Sequence, residues 1–461
     1  MRLSNFAHIY ECISEERSYY IIRHSITNKS YLLTSKEFLE LIQALEVKKE
    51  TSEIGNLKRD HILVQNSYSE LKFIDFLKKH YNLNKFDLEI IYLIFNSICN
   101  LKCKYCYIEG STKPGFKNDS MDEESFVKLM DYIKKLISYQ KRINPAKEKL
   151  TFIYYGSEPL ISKAFFIRSL EIICKSCCEN KIVPDFQITT NGTLLDEEII
   201  DAIKKFKVGV SISLDGKKEV NDSMRVVQDG SGTYERIIKS IKLLKNSDIP
   251  FGISCTISKH NINNLKESTD HFIRLGAASI GFNILLNARY SNIPMVSLIE
   301  LNQNLLEVSK KVNDVGLYED RIQRKIRAFN GLPRFKDCGG VGNQLVFFPN
   351  GDIGTCEAHL CNKESKIGNI YSLKVEDIEK NPVIKYWTER YPLNMQECLY
   401  CSALGICGGG CPFNAETLSK KDIYQRDKPF CVHTEMALKW LLEKSVEKKA
   451  KMKNPYIWDI T

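Results

Sequence analysis

Residues 89–107 read EIIYLIFNSICNLKCKYCY, and this stretch decides the fold. Its first half, Glu89 to Phe95, is a short apolar run rich in β-branched and aromatic residues, which predicts a buried strand. Its second half is a loop in which Cys99, Cys103 and Cys106 stand in a C-x3-C-x2-C array. Three thiolates this close converge on one metal centre. Structural zinc calls for a fourth protein ligand at recognisable spacing, and catalytic zinc usually draws histidine, which this loop lacks. A [4Fe–4S] cluster normally takes four cysteine ligands, so three leave one iron open to bind something else. The spacing favours that cluster over zinc or unligated thiols. With a strand leading into the loop, the cluster would sit at a strand's C-terminal end.

Beyond this stretch the pattern is strand, loop, helix, repeated. Strand-like runs fall at 90–96, 150–155, 185–190, 207–214, 250–257 and 279–286. Helical runs lie between them at 122–139, 161–179, 196–206, 233–246 and 263–275. Six β-α steps predict a parallel sheet with right-handed crossovers, two short of the eight that close a complete barrel. The expected fold class is α/β, a partial (β/α)6 TIM-like barrel with its chemistry on the loops at the strands' C-terminal ends.

The cysteine array, with Tyr105 directly before its third member, resembles the cluster loop of the radical S-adenosylmethionine (radical SAM) superfamily. The resemblance implies that SAM chelates the open iron. One electron from the cluster then cleaves it to methionine and a 5′-deoxyadenosyl radical that abstracts a substrate hydrogen. Further matches stand at the expected strand ends. Gly156-Ser157-Glu158-Pro159 is similar to the family's G-G-E-P loop, with serine in the second glycine position, and Glu158 is expected to accept from the SAM ammonium. Asn191, in Thr190-Asn191-Gly192, ends the third strand, and Ser213 ends the fourth. By the same resemblance Ser213 contacts the methionyl or ribose part of SAM, Arg225 pairs with its carboxylate as a bidentate fork, and Leu286 packs near adenine. An ordinary strand-to-helix turn is the plainer reading of the Glu158 loop taken alone.

A second cysteine field follows two bridging helical runs in 297–331. It comprises Cys338, Cys356 (five residues after Gly351), Cys398, Cys401, Cys407, Cys411 and Cys431. Cys398-x2-Cys401 alone would suit a zinc ribbon; the whole set resembles the SPASM domain, the twin-cluster extension of radical SAM enzymes that modify peptides and proteins. The resemblance implies an outer cluster on Cys398, Cys401, Cys407 and Cys431 and an inner one on Cys338, Cys356 and Cys411. The inner cluster's fourth place is open to Cys361, a substrate thiolate, water or another side chain. Glu357 stands where relatives that mature sulfatases carry an acidic residue used as a base. Those relatives have an additional cysteine between the first cysteine and the one linked to glycine, and this chain has none there, which argues against formylglycine formation.

The N-terminal runs 8–11, 18–23 and 29–33 predict a small antiparallel sheet, with Ser35 as N-cap of the helix that follows, a strand near 61–65 and a helix over 68–80. Placed before a radical SAM core, they look like a winged-helix-like peptide-recognition element; a cap on the barrel is the alternative. The expected domains are 1–88 (recognition-like α+β), 89–296 (partial barrel), 297–336 (helical bridge), 337–445 (SPASM) and 446–461 (basic tail). Sixteen cysteines suggest metal or redox chemistry in a reducing compartment, and Cys12, Cys174, Cys177, Cys178 and Cys255 are expected to be packed or surface thiols. No run of about 18 apolar residues could span a bilayer and no signal peptide is evident, so a cytoplasmic location is expected. The net charge of +9 is spread over many helices without interleaved aromatics, which argues against nucleic acid. The expected function is an oxidoreductase that modifies a ribosomally made peptide (RiPP), most simply by a thioether from cysteine sulfur to carbon, as in sactipeptide and ranthipeptide maturases. It would use three [4Fe–4S] clusters, SAM, a precursor peptide and an electron donor such as flavodoxin or ferredoxin. Sulfatase maturation and a non-catalytic iron–sulfur electron carrier are the alternatives.

Overall fold

A computed structural model describes residues 2–14, 17–106, 119–285, 296–361, 365–419 and 422–450. Five short strands open the chain: β1 (Arg2–Leu3), β2 (Ala7–Ser14), β3 (Arg17–His24), β4 (Ser30–Thr34) and β5 (Leu63–Val64). β2, β3 and β4 form an antiparallel sheet in that order, and β1 pairs with β5 as a separate ribbon. The helix after β4, Ser35–Glu46, is capped by Thr34 and not by Ser35. The Thr34 hydroxyl accepts from the Glu37 N–H and the Glu37 carboxylate accepts from the Thr34 N–H, which satisfies two otherwise unpaired donors at once. Ser35 donates instead to the Ser18 carbonyl.

The small sheet is covered on both faces. On one side Ile22, Tyr31 and Leu33 pack on Leu41, Ile54 and Leu57 from the helices that follow it. On the other, Ile21 and Leu32 pack on Phe329, Ile406 and Leu438 from the C-terminal half of the chain. Polar groups close the same joint. Gly405 N–H donates to the Ser25 carbonyl at 2.6 Å, and Asn28 Nδ2 donates to the Ala328 carbonyl at 2.6 Å.

In the main sheet, β6 (Ile90–Leu93), β7 (Lys149–Tyr154), β8 (Val183–Thr190), β9 (Gly209–Ser213), β10 (Phe251–Ile257) and β11 (Ser279–Ile284) lie side by side in chain order, all parallel. This is the partial barrel expected from six β-α steps. Two extensions were not foreseen. β12 (Tyr318–Glu319) joins β11, and β13 (Gln344–Phe347) joins the opposite edge beside β6, both parallel. The antiparallel β14 (Asp352–Gly354) and β15 (Lys366–Asn369) follow β13, so the second cysteine field is built onto the barrel's own sheet.

The barrel strands β6 to β11 are not buried on both faces. In β10, Phe251, Ile253, Cys255 and Ile257 are buried while Gly252, Ser254 and Thr256 are only partly covered, and β6 alternates likewise. A parallel sheet with helices on both faces reads as continuous apolar runs; alternation means that helices cover one face only. The strand expected at 89–95 is β6, and its alternation puts Tyr92 on the partly covered face, as a cavity wall. Among the described residues no helix is long and apolar enough to cross a membrane.

Candidate active site

The cysteine loop leaves β6 through Ile94 and Phe95, both buried. Asn96 Nδ2 fastens its base, donating to the Glu158 carbonyl at 3.2 Å and to Ser162 Oγ at 2.9 Å. Beyond Cys99 the loop runs as a ribbon against 224–227. Lys102 N–H donates to the Val226 carbonyl (2.7 Å), Lys104 N–H to that of Met224 (2.9 Å), and Leu101 bridges Val227. That pairing sets Arg225 against the loop. Its Nη1 donates to the Tyr105 hydroxyl at 2.5 Å and lies 3.8 Å from Asp215 Oδ2, while Tyr105 donates to the same carboxylate at 2.6 Å. Thr256 N–H donates to Asp215 Oδ1 at 2.9 Å. All three side chains are buried. Burial pushes the Asp215 carboxyl and the Tyr105 phenol up, and the Arg225 charge opposes it in both. Asp215 was not singled out in the sequence, because its partner Tyr105 is more than a hundred positions away and leaves no local signal.

The loop after β7 approaches closely. Gly156 has φ +123°, and a Cβ there would lie 2.7 Å from Ile94 Cγ2, so any side chain would displace the strand end. Glu158 is fully buried. Its Oε1 accepts from Thr190 Oγ1 at 2.7 Å and Leu160 N–H at 3.0 Å, and its Oε2 from Asn191 N–H at 2.8 Å. Burial raises this carboxyl and the donors oppose the shift. Asn191 Nδ2 donates to Asn100 Oδ1 at 2.9 Å and lies 3.8 Å from Cys99 Sγ; its Oδ1 accepts from Thr193. Glu158, expected from the sequence to accept from the SAM ammonium, and Asn191, expected at the third strand's end, also brace the loops after β7 and β8 against the cysteine loop. Ser213 ends β9 beside Ser254 of β10, on the partly covered face. Leu286 lies outside the described residues.

In the second field, burial pushes the Cys338 thiol up to about 12, with Glu357 adding to it. Cys356 is raised by burial and then by Glu357, Cys411 and Cys338, which places these four groups together. Cys431 is raised by burial and then by Cys407, Cys398, Asp427 and Cys401, so the other three thiols of its set stand near it. Between Cys407 and Cys411, Gly408, Gly409 and Gly410 all have left-handed φ, so the chain turns tightly from one set to the other. The side chain of Cys361 lies outside the described residues. Glu357 accepts from Gln344 Nε2 at 3.0 Å, and burial raises its carboxyl. With Tyr92, Asn283, Cys338, Gln344 and Cys411 it lines a cavity of about 790 Å³. Tyr92 meets Tyr155 edge-to-face at 5.9 Å. Reading alternate residues of β6 as cavity-facing would have found Tyr92; Gln344 had no such cue.

The donor sets fit the groups that the motifs imply. Every described cysteine is outside any disulfide. Ser157 Oγ and Arg225 Nε are buried without a protein partner beside the first loop, and so are both ring nitrogens of His433, two residues past Cys431. Buried polar atoms are nearly always paired, so these atoms have hydrogen-bonding capacity to offer a polar ligand. Among the described residues no three His, Cys, Asp or Glu side chains close to the spacing of a single ion; a cubane spreads its ligands over four irons.

Residues 93–272 match the Radical SAM superfamily. The chain is a radical SAM enzyme. It is 26% identical over 332 residues to the cysteine-type anaerobic sulfatase-maturating enzyme of Clostridium perfringens, covering 68% of this chain and 86% of that one. It is 26% identical over 389 residues to the radical SAM cyclopropyl synthase TigE of Paramaledivibacter caminithermalis, covering 81% and 76%. Its fold is similar to that of Streptococcus suis SuiB bound to precursor peptide SuiA, with a TM-score of 0.53, 18% identity and coverage of 93% and 99%. This radical SAM enzyme is thus related to the SPASM-type members that its two cysteine fields resemble. Membership implies SAM and a [4Fe–4S] cluster as cofactors.

Proposed function

We propose that this enzyme modifies a ribosomally made peptide by oxidative cross-linking, with a thioether from cysteine sulfur to carbon as the favoured bond. One observation carries the reading. The cavity of about 790 Å³ is walled jointly by the barrel's concave face (Tyr92, Asn283) and by the second cysteine field (Cys338, Glu357, Cys411), so a substrate lying on the sheet also reaches the auxiliary site. An electron carrier needs no such cavity.

Cys99, Cys103 and Cys106 would hold the cluster that SAM joins, and Ser157 Oγ and Arg225 Nε offer unused hydrogen-bonding capacity to SAM. When bound, these groups supply a 5′-deoxyadenosyl radical. The chain's residues do the rest. Asp215 and Tyr105 hold Arg225 in place, Glu158 and Asn191 fix the loops, and Tyr92, packed on Tyr155, forms part of the cavity wall. Glu357, its carboxyl raised by burial, is placed to take a proton from substrate once ionised. Cys338, Cys356 and Cys411 would hold one auxiliary cluster, and Cys398, Cys401, Cys407 and Cys431 another. Residues 1–88 would hold the leader: among the described residues β4 pairs only with β3, leaving its other edge for an added strand. A protein such as flavodoxin or ferredoxin would supply the electron.

Anaerobic reconstitution should give about twelve irons per chain, and alanine at Cys99, Cys103 and Cys106 should remove about four together with all SAM cleavage. Incubation with a cysteine-containing precursor peptide should yield a product lighter by two hydrogens that retains its sulfur. A product that has lost sulfur to an aldehyde would establish sulfatase-type maturation instead. Stoichiometric zinc with no SAM cleavage would overturn both readings.

A further inference from the structure

Two cations are buried in the second cysteine field without a carboxylate. Arg390 is fully buried, and its guanidinium is held by carbonyls alone: those of Ile423, Gly409 (2.9 Å), Gly410 (3.3 Å) and Gln425 (3.2 Å). Two of these carbonyls belong to the glycine bridge between Cys407 and Cys411. Lys325, on the helix Asp320–Phe329, is 2% exposed. Its Nζ donates to the Arg321 carbonyl at 3.1 Å and sits 4.3 Å from the ring centre of Phe430, the neighbour of Cys431. Among the described residues neither cation has a carboxylate oxygen within 4.0 Å.

The nearby acids are already engaged. Asp337 lies 3.2 Å from Arg334 and 3.4 Å from Arg324. Glu319 accepts from the N–H groups of Arg321 and Ile322, and Asp427 from those of Cys411 and Phe430. A buried charge is costly unless an opposite charge accompanies it. Thiols also stand near both, alongside Asp337 and Glu319 in the case of Lys325. Against the upward push of burial, Arg390 draws down Cys338 of one set and Cys398 of the other, and Lys325 draws down Cys407.

We propose that Lys325 and Arg390 are the buried counter-ions of two auxiliary iron–sulfur clusters, Lys325 serving the cluster on Cys398, Cys401, Cys407 and Cys431, and Arg390 serving both. This rests on the two-cluster reading above. A thiolate-bound cluster is net negative and more so when reduced, and its net charge and surroundings set its potential. A fixed cation in a low-dielectric interior stabilises the reduced form and so raises the potential. Charge compensation here is mutual, since each cluster also neutralises a cation that the protein leaves unpaired.

The test is a redox titration followed by electron paramagnetic resonance on the reconstituted full-length enzyme, with iron content measured alongside. The cluster that binds SAM is set apart by its spectral change on SAM addition. Lys325→Met keeps the length of the side chain and removes the charge. It should move one auxiliary cluster to a more negative potential, or lose about four irons; Lys325→Arg should match wild type. Arg390→Gln should move both auxiliary signals where Arg390→Lys moves neither. Wild-type potentials and full iron in Lys325→Met would overturn the proposal, as would equal damage in the Met and Arg variants, which is the mark of packing. Wild-type enzyme with no more than about four irons would instead overturn the two-cluster reading itself, before any Lys325 variant is made.

Discussion

The barrel and the N-terminal sheet are both built from short strands and amphipathic helices, yet they are stabilised differently. The barrel encloses one continuous apolar core, with Phe152, Ile188, Ile212 and Ile253 meeting Leu136, Leu170 and Ile241 from its own helices. The N-terminal sheet owns half of its burial. One face is covered by its own helices, and the other completes a core with Phe329, Leu438 and Ile406, next to Cys407. Phe6, Ile26 and Ile74 likewise share a cluster with Tyr391, Leu393 and Leu404. A segment that could pass as a separate recognition module is thus one wall of the cysteine-rich region. Anything that shifts it bears on the outer thiol set.

The largest expected effect comes from removing residues 1–85. An autonomous module would leave a soluble remainder. Here the deletion strips apolar cover from the cysteine-rich region, and the product should aggregate, or show by hydrogen exchange an intact barrel beside an unprotected C-terminal region. A monodisperse truncation with wild-type protection throughout would break the comparison. Next, inside the barrel, Asp215→Ala leaves the buried Arg225 without its carboxylate, which should cost about 3–5 kcal/mol in denaturant unfolding. Asp215→Asn, keeping an acceptor for Tyr105, should lose less.

At the joint, Gly405→Ala puts a methyl 2.6 Å from the Ser25 carbonyl and Asn28 Oδ1. Overpacking of this kind costs about 1–3 kcal/mol, and exchange should quicken in β3 and β4 but not in β7 or β10. The smallest effect, taken per pH unit, is acid sensitivity. Burial, then His61, His8 and Arg23, pushes His24 down to about 3. Above its ordinary value of about 6.5 both the folded and unfolded states are neutral and the stability is intact; as pH falls toward 3 the unfolded state alone takes the proton. Stability should therefore drop by up to about 1.4 kcal/mol per pH unit below about 6.5, and His24→Gln should flatten that slope. Amide exchange in β3 and β4 at about pH 7 and about pH 5, corrected for intrinsic rates, measures it.

How much of this was legible follows from the range of each signal. The strand expected at 250–257 is Phe251–Ile257, and the helix expected at 196–206 is Glu197–Phe206, because alternation and 3.6-residue periodicity are written within a few consecutive residues. The cap at Thr34 was missed by one position, since Thr and Ser suit that place equally and only the reciprocal bond with Glu37 distinguishes them. The cluster loop and the order of the β-α steps were determined by the sequence alone: thiol spacing is local, and chirality leaves few ways to connect parallel strands. Only the tertiary structure decided that Leu101–Lys104 pairs with Met224–Val227, that β13 lies beside β6, and that Asp215 and Tyr105 hold Arg225. Apart from Asp215 and Arg225, which lie close in sequence, those contacts join residues from about a hundred to more than two hundred positions apart. No local pattern encodes them, because a strand's own residues specify that it has an edge and a face, whereas its partners are chosen by the packing of the whole core.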